Sequence, residues 1–165
     1  MRNNIGFILS TIFILTCNNG VANTNIKQFL SQQFNKQIPK AQRMWINKDK
    51  QEIIKTQFNP SQIKLSYRYW KKDGITVWIL DEIGKERNIT TGIVIEDGFI
   101  KKVAVLVYRE SRGGQVQNPK FTQQYFQKHT ESNLIKEIDS ISGATLSVNA
   151  LNKQVKLALW LNENK

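Results

Sequence analysis

The chain has 165 residues, a formal net charge of +11 at pH 7, 40% hydrophobic residues and 22% charged residues. This length suits one domain with a buried core, and the composition argues against a disordered chain. A single cysteine and a single histidine, His129, disfavour a disulfide framework, metal catalysis and Ser/His/Asp catalysis. The basic residues are scattered without a nucleic-acid-binding motif, so we expect no nucleic-acid partner. They favour attraction to anionic lipid or acidic redox proteins, with solubility as the simpler interpretation.

Residues 1–22 have the pattern of an export signal. Arg2 precedes the apolar run Ile5 to Thr16, and Gly20-Val21-Ala22 forms a small-x-small cleavage site. A run of about a dozen apolar residues is too short to span a bilayer. We therefore expect cleavage after Ala22 and a mature chain, residues 23–165, that forms a single domain. Lipid modification of Cys17 is the alternative, although the residue before it is a poor one for that reaction.

The residues that follow the expected export signal predict one helix, and after it a stretch whose secondary structure the sequence does not determine. Apolar residues recur at helical spacing at Ile26, Phe29, Leu30 and Phe34, which predicts a short amphipathic helix. Residues 40–64 predict no definite element, and Asn59-Pro60-Ser61 within them indicates a turn or a helix start.

Two β-hairpins are predicted from Leu65 onwards. An Asp-Gly step is a strong signal for a two-residue hairpin turn, and it occurs at Asp73-Gly74 and at Asp97-Gly98. The apolar runs beside these steps cover residues 65–70, 75–80, 93–95 and 99–108. Gly84 and Gly92 are expected to lie in the connection between the hairpins. Two hairpins imply an antiparallel sheet of at least four strands.

Helical spacing returns after Gly113-Gly114. Pro119 stands near the start of a predicted helix that has Phe121, Tyr125 and Phe126 on one side. A final amphipathic helix is predicted from Ala144 onwards, with its apolar stripe at Val148, Leu151, Val155, Ala158, Leu159 and Asn162. Strands followed by helices indicate an α+β fold.

The segment from Asp139 to Thr145, Asp-Ser-Ile-Ser-Gly-Ala-Thr, directly precedes this last helix. The first backbone N–H groups of a helix have no partner within it and stabilise an anion such as phosphate. Gly143 and Ala144 leave room for such a group, Ser142 is the predicted N-cap, and Thr145 is predicted to lie in the first turn. The local pattern alone favours an ordinary Ser-capped helix start over an anion site.

Two separated blocks give the sequence a wider resemblance. The segment Asp139 to Thr145 resembles the acceptor motif of the periplasmic FMN-binding domain family, and residues 92–107 resemble the central strand pair of that family. The resemblance covers roughly residues 75 to 160. It implies that Thr145 carries FMN as a phosphoester, attached in the periplasm by a flavin transferase that takes FMN from FAD.

The resemblance also implies which residues form the site. Asp139, Ser142, Gly143 and Ala144 would serve recognition and geometry around Thr145, and Glu110, Ser111 and Gly113 would line the flavin from the turn after the long strand. Many members have Glu-Thr-Pro-Gly-Leu-Gly at that turn. This chain has Glu110-Ser111-Arg112-Gly113-Gly114 instead, so the role of Arg112 stays open between a cation beside the flavin and a solvated side chain. Trp70, Trp78 and Tyr108 are candidates to flank the flavin, but each is expected to be a core residue.

The function that the resemblance implies is periplasmic electron transfer by an exported flavoprotein. The chain has no nicotinamide fingerprint and no candidate acid–base pair, which favours an electron carrier over a stand-alone enzyme. Its partners would be the flavin transferase and redox donor and acceptor proteins that the sequence does not identify, membrane-bound proteins among them. Two alternatives remain open: a non-catalytic flavin subunit of a multi-protein reductase, and a basic envelope-binding module without cofactor.

Overall fold

The structure is a computed structural model that describes the backbone of residues 18–165 and the side chains of residues 23–165. Cys17 and most of the expected export signal lie outside the described residues. Five antiparallel strands form one sheet, flanked by helices, which confirms the predicted α+β fold. The strands are β1 (Gln42–Trp45), β2 (Ser66–Lys72), β3 (Ile75–Ile83), β4 (Asn88–Glu96) and β5 (Phe99–Tyr108), and they lie side by side in chain order.

Both Asp-Gly steps form the hairpin turns that the sequence predicts. The φ angles are 50° and 79° at Asp73 and Gly74, and 52° and 83° at Asp97 and Gly98. Positive φ at both central residues is the signature of the type I′ turn, whose twist matches that of the flanking strands. These turns therefore set the pairing of β2 with β3 and of β4 with β5.

The stretch that the sequence left open forms β1 and a helix, α2 (Lys48–Phe58). The side chain of Asn47 accepts a hydrogen bond from the backbone N–H of Lys50 at 2.9 Å and so caps the start of this helix. Asn59 ends it in the left-handed conformation, with a φ of 42°. The Asn59-Pro60-Ser61 step is thus a helix end, and β1 forms one edge of the sheet beside β2.

Helices cover both faces of the sheet. On one face, α5 (Thr145–Glu163) packs its predicted stripe, of which Val148, Leu151, Val155, Ala158 and Leu159 are buried and Asn162 is half-buried. On the other face lies α1 (Asn18–Gln33), which confirms the predicted N-terminal helix and buries Phe29 and Leu30. Because β4 contacts both layers, nearly all of its residues are buried. Between residues 18 and 165 no helix is both long and apolar enough to cross a bilayer.

The contact between α1 and the sheet depends on Gly92. A Cβ atom at this position would lie 2.4 Å from Cε1 of Phe29, so the aromatic ring rests directly on the glycine backbone. Gly92 lies in the middle of β4, and its predicted place in the connection between the hairpins is therefore wrong. Burial of the Phe29 side chain contributes about 1.5–3 kcal/mol to folding.

The region after Gly113 is more broken than the sequence predicts. In place of one helix it has α3 (Pro119–Thr122) between two 3₁₀ turns, Gly114–Gln117 and Gln123–Tyr125, and later α4 (Leu134–Glu137). The chain leaves helical geometry because residues 127 and 128 pair with the backbone of Ile100 through two hydrogen bonds. Phe121 and Tyr125 are buried as predicted, whereas Phe126 is 53% exposed.

Candidate functional site

A cleft of about 600 Å³ opens where three segments of the chain meet. Lys85 and Glu86 come from the loop between β3 and β4, residues 110–112 from the turn after β5, and residues 143–147 from the start of α5. We call this the helix-start cleft. Its volume lies within the range that is usual for sites of small molecules and cofactors.

The backbone prepares the start of α5 as an anion site. Gly143 takes a φ of 77°, and the N–H of Ala144 donates to the carbonyl oxygen of Ile141 at 2.9 Å, which closes a turn just before the helix. Ala144 is the N-cap, so the predicted cap at Ser142 is wrong, because the turn places Ser142 two residues ahead of the N-cap. No side chain caps this helix end. Its first N–H groups are left for water or for an anion in the cleft.

Thr145 is the first residue of α5, as predicted, and its side chain is exposed on the cleft. A hydroxyl at this place lies next to the free N–H groups and the positive end of the helix dipole. Leu146, which follows, is 50% exposed and gives the cleft an apolar surface. The arrangement offers an attachment atom, an anion-stabilising backbone and an apolar wall within one helical turn.

A chain of hydrogen bonds joins the turn after β5 to α5. The hydroxyl of Tyr108 donates to the carbonyl oxygen of Arg112 at 2.5 Å and lies 3.0 Å from the hydroxyl of Ser147. Because the single Tyr108 proton goes to the carbonyl, the Ser147 hydroxyl is the donor in the second bond. Ser147 is only 4% exposed, so this link is fixed inside the protein and holds two walls of the cleft together.

Glu110 holds the third wall. Its Oε1 atom accepts hydrogen bonds from the backbone N–H groups of Lys85, Glu86 and Arg87, at 2.5, 2.8 and 2.9 Å. Desolvation by burial would raise the pKa of Glu110, but the three backbone hydrogen bonds and the charge of Lys85 together outweigh it, and the pKa is lowered. The carboxylate therefore stays ionised and keeps the loop between β3 and β4 in place.

Gly113 lies directly beneath the cleft. A Cβ atom there would lie 2.9 Å from Oγ of Ser147 and 3.3 Å from Cβ of Ala144. The absence of a side chain lets the turn after β5 approach the first turn of α5. Gly113 thus shapes the cleft without being one of the residues that line it.

The structure brings most of the sequence-predicted site residues to one place. Glu110 and Ser111 line the helix-start cleft together with residues 143–145. Ser142 and Asp139 are exposed and do not line it, and the N–H of Asp139 donates to Oε1 of Gln124 at 2.9 Å. A role for these two residues in flavin binding stays a prediction.

The two arginines of the turn point to opposite sides. Arg112 lines the cleft. Arg109 turns away from it, and its Nη1 donates to the carbonyl oxygen of Asn88 at 3.2 Å and to Oγ1 of Thr90 at 3.1 Å. Of these two arginines, therefore, Arg112 is the one placed to interact with a group bound in the helix-start cleft.

Of the three aromatic residues considered as flavin neighbours, only Tyr108 lies next to the helix-start cleft. Trp70 and Trp78 are buried in the core, as expected, on opposite faces of the sheet. Tyr108 is half-buried and supports the cleft from below through the bonds to Arg112 and Ser147. Sequence reasoning missed Lys85, Glu86 and Ser147, because no local pattern shows that the β3–β4 loop and the second polar residue of α5 meet at the motif.

A family model of the FMN-binding domain matches residues 84–160. The match begins at the loop that carries Lys85 and ends inside α5, so it contains all three walls of the helix-start cleft. A comparison with curated proteins found no match. The match and the α+β fold support a flavin-binding protein. Residues 84–160 belong to the FMN-binding domain family, which confirms the family expected from the motif.

The residues of the cleft fit the phosphate end of FMN. An uncapped helix start, a glycine turn and the cation of Arg112 suit a phosphate group, and the exposed side chain of Leu146 suits the apolar ring system. When bound, FMN supplies the ability to accept and donate electrons, which no side chain of the cleft has.

Proposed function

We propose that the protein is an exported flavoprotein that carries FMN covalently on Thr145 and transfers electrons. The observation that carries the proposal is the position of Thr145, exposed as the first residue of an uncapped helix in a cleft of the FMN-binding domain. The hydroxyl lies where a phosphate would be stabilised by the helix start. A covalent link would also keep the cofactor from being lost outside the cell.

The attachment is a phosphoryl transfer from FAD, catalysed by a separate flavin transferase. Oγ1 of Thr145 forms a bond to the phosphorus of the FMN half, the bond from that phosphorus to the bridging oxygen breaks, and AMP leaves with that oxygen. The hydroxyl proton passes to solvent. The free N–H groups of α5 would stabilise the charge on the phosphate oxygens during transfer and in the product.

The cleft favours a carrier over a stand-alone enzyme. One oxygen of the ionised Glu110 carboxylate holds the β3–β4 loop, and the lowered pKa of this group makes it a poor base near neutral pH. The cleft is also open to solvent on the side of Thr145, so a redox partner could approach closely. A role as the flavin subunit of a larger reductase fits the same geometry, and turnover of a small molecule by the isolated loaded protein would instead support an enzyme.

Coexpression of the full-length chain with a flavin transferase tests the attachment. We expect the peptide spanning residues 142–151 to gain the mass of FMN less one water, and the denatured protein to keep its flavin fluorescence. Thr145→Ala should abolish both signals because it removes the acceptor oxygen, and Thr145→Ser should retain part of them because the hydroxyl survives.

Ser140→Ala is the matched control, since it removes a nearby exposed hydroxyl that neither lines the cleft nor is one of the predicted site residues. It should be loaded like the wild type. A yellow protein with an unmodified peptide would show that the flavin is bound without a covalent link. A colourless wild-type protein, coexpressed with an active transferase, would refute the flavin proposal itself.

A further inference from the structure

A second cleft lies on the face of the sheet that carries α1, and its volume is about 260 Å³. We call it the arginine cleft. The charged residues that line it are four cations and one carboxylate: Arg43, Lys64, Arg68, Arg109 and Asp81. It is separate from the helix-start cleft, because Arg109 and Glu110, although consecutive, turn to opposite sides of the sheet. A concentration of positive charge in a concave surface attracts anions.

Two of these arginines stand in an unfavourable pairing. Arg43 of β1 and Arg68 of β2 are direct cross-strand partners. Like charges directly opposite each other destabilise a sheet, and their Cβ atoms are typically about 5 Å apart. Arg68 keeps its place through a cation–π contact, with its Cζ atom 5.1 Å from the centroid of the Trp70 ring, and this contact leaves its N–H donors free of a carboxylate.

The one carboxylate in the lining does not relieve this repulsion. Oδ2 of Asp81 accepts a hydrogen bond from Nζ of Lys64 at 3.1 Å, and Oδ1 accepts one from the hydroxyl of Thr90 at 2.7 Å. Both oxygens therefore have partners other than arginine. Asp81 therefore pairs with none of the three guanidinium groups of the cleft.

Two of the guanidinium groups are held in place by neutral oxygens. Nη1 of Arg109 is bonded to the carbonyl of Asn88 and to the hydroxyl of Thr90, and Nη1 of Arg43 donates to the hydroxyl of Ser66 at 3.2 Å. A guanidinium has five N–H donors, so each keeps several for a ligand. Fixed guanidinium forks match the oxygens of phosphate groups better than mobile lysines do.

We propose that the arginine cleft binds a phosphate group. The cleft has room for such a group, and its three arginines are held by contacts with neutral groups or with an aromatic ring, whereas Lys64 is paired with Asp81. The phosphate could belong to a soluble phosphate ester or to the headgroup of an anionic lipid. Trp45, 70% exposed and two residues from Arg43 on the same face of β1, would suit the lipid surface. The proposal is independent of flavin binding on the other side of the sheet.

Thermal unfolding of the full chain in inorganic phosphate, against chloride at equal ionic strength, tests the soluble source. We expect phosphate to raise the unfolding temperature of the wild type in a saturable way, because a ligand that binds the folded state stabilises it. Arg43→Gln should unfold at a higher temperature than the wild type in chloride, since it removes the like-charge pair. It should also weaken the apparent affinity for phosphate by about tenfold, the effect expected for losing a charged hydrogen-bond donor.

Lys120→Gln is the matched control, because it removes one exposed cation of α3 that does not line the cleft. It should bind phosphate like the wild type. If both variants lose the same affinity, the effect is one of overall charge and the proposal is wrong. If Arg43→Gln does not fold, the same measurement is made on Arg68→Gln, in which the phosphate-dependent rise in unfolding temperature should also be weaker.

Sedimentation with vesicles of phosphatidylcholine and phosphatidylglycerol tests the lipid source. Binding that Arg43→Gln and Arg68→Gln weaken, and that Lys120→Gln does not, would assign the phosphate to a headgroup. Binding of inorganic phosphate alone would assign it to a soluble ester. No response to either source, or binding of an acidic polypeptide such as poly-glutamate in their place, would overturn the proposal.

Discussion

Glu110 is the residue on which the shape of the helix-start cleft most depends, because one carboxylate oxygen holds three consecutive N–H groups of the β3–β4 loop. Glu110→Gln keeps the size of the side chain and removes the charge. We expect the variant to lose about 1 kcal/mol of stability at pH 7, a value kept low by the solvent exposure of the site. It should also shift the absorption or potential of bound flavin. Denaturant unfolding and flavin spectroscopy measure the two effects.

The stability loss should depend on pH in one direction. The pKa of Glu110 is lowered in the folded state, so its contribution is present above the unfolded-state pKa, near 4.5, and is lost as pH falls through the folded-state value. The difference between wild type and Glu110→Gln should therefore close in acid. Glu131→Gln, which changes an exposed carboxylate outside the helix-start cleft, should change neither the stability nor the flavin spectrum. A gap that stays constant down to acid pH would contradict the assigned role.

The position of a single site residue was predictable only where residues near it in the sequence determine that position. The place of Thr145 in the first turn of a helix follows from the change of pattern at Gly143-Ala144. The cap did not follow, because a serine near a helix start is usually the cap and only the turn closed by Ile141 and Ala144 moves it out of position. The links from Tyr108 to Ser147 and from Glu110 to the β3–β4 loop join distant residues, and no sequence period encodes them.

At the scale of elements, the packing of α1 on the sheet can be tested at the contact between Phe29 and Gly92. Gly92→Ala should destabilise the protein by about 1–3 kcal/mol, because the new methyl group overlaps the ring of Phe29 and the packing must shift. Equilibrium unfolding in urea measures the loss. Phe29→Leu combined with Gly92→Ala should cost less than the sum of the single variants, since the smaller side chain makes room. Additive losses would mean that the ring and the methyl group do not interact.

The elements that the sequence revealed are those with a local signal. The two hairpins follow from their Asp-Gly turns, and α5 follows from its apolar stripe. β1 has only four residues, and its apolar and polar residues alternate little. It forms a strand because it pairs with the edge of β2. The helix expected after Pro119 stops early because residues 127 and 128 find partners in β5, a tertiary contact that overrides local helical spacing.

At the scale of the whole molecule, we predict that the mature protein starts at Asn23. The described contacts of α1 with the sheet include the hydrogen bond from Nδ2 of Asn25 to the carbonyl oxygen of Leu106, at 2.9 Å, and the burial of Phe29 and Leu30. Removal of residues 1–22 would leave these contacts intact. N-terminal sequencing of protein from the native envelope checks this, and Ala22→Leu should block processing at that site. A lipid-modified Cys17 would contradict cleavage after Ala22 while leaving export in place.

The order of the sheet has a kinetic consequence. Every strand pairs with its neighbour in sequence, and short loops join β2, β3, β4 and β5. These four strands can therefore pair one after another, which is a fast route. The helix α5 covers one face of the sheet, and its docking places Thr145, the proposed acceptor, at the helix-start cleft. A transferase that needs this helix start would find its substrate only in chains that have finished folding. The flavin content of a preparation would then report the fraction of molecules that reached the native state.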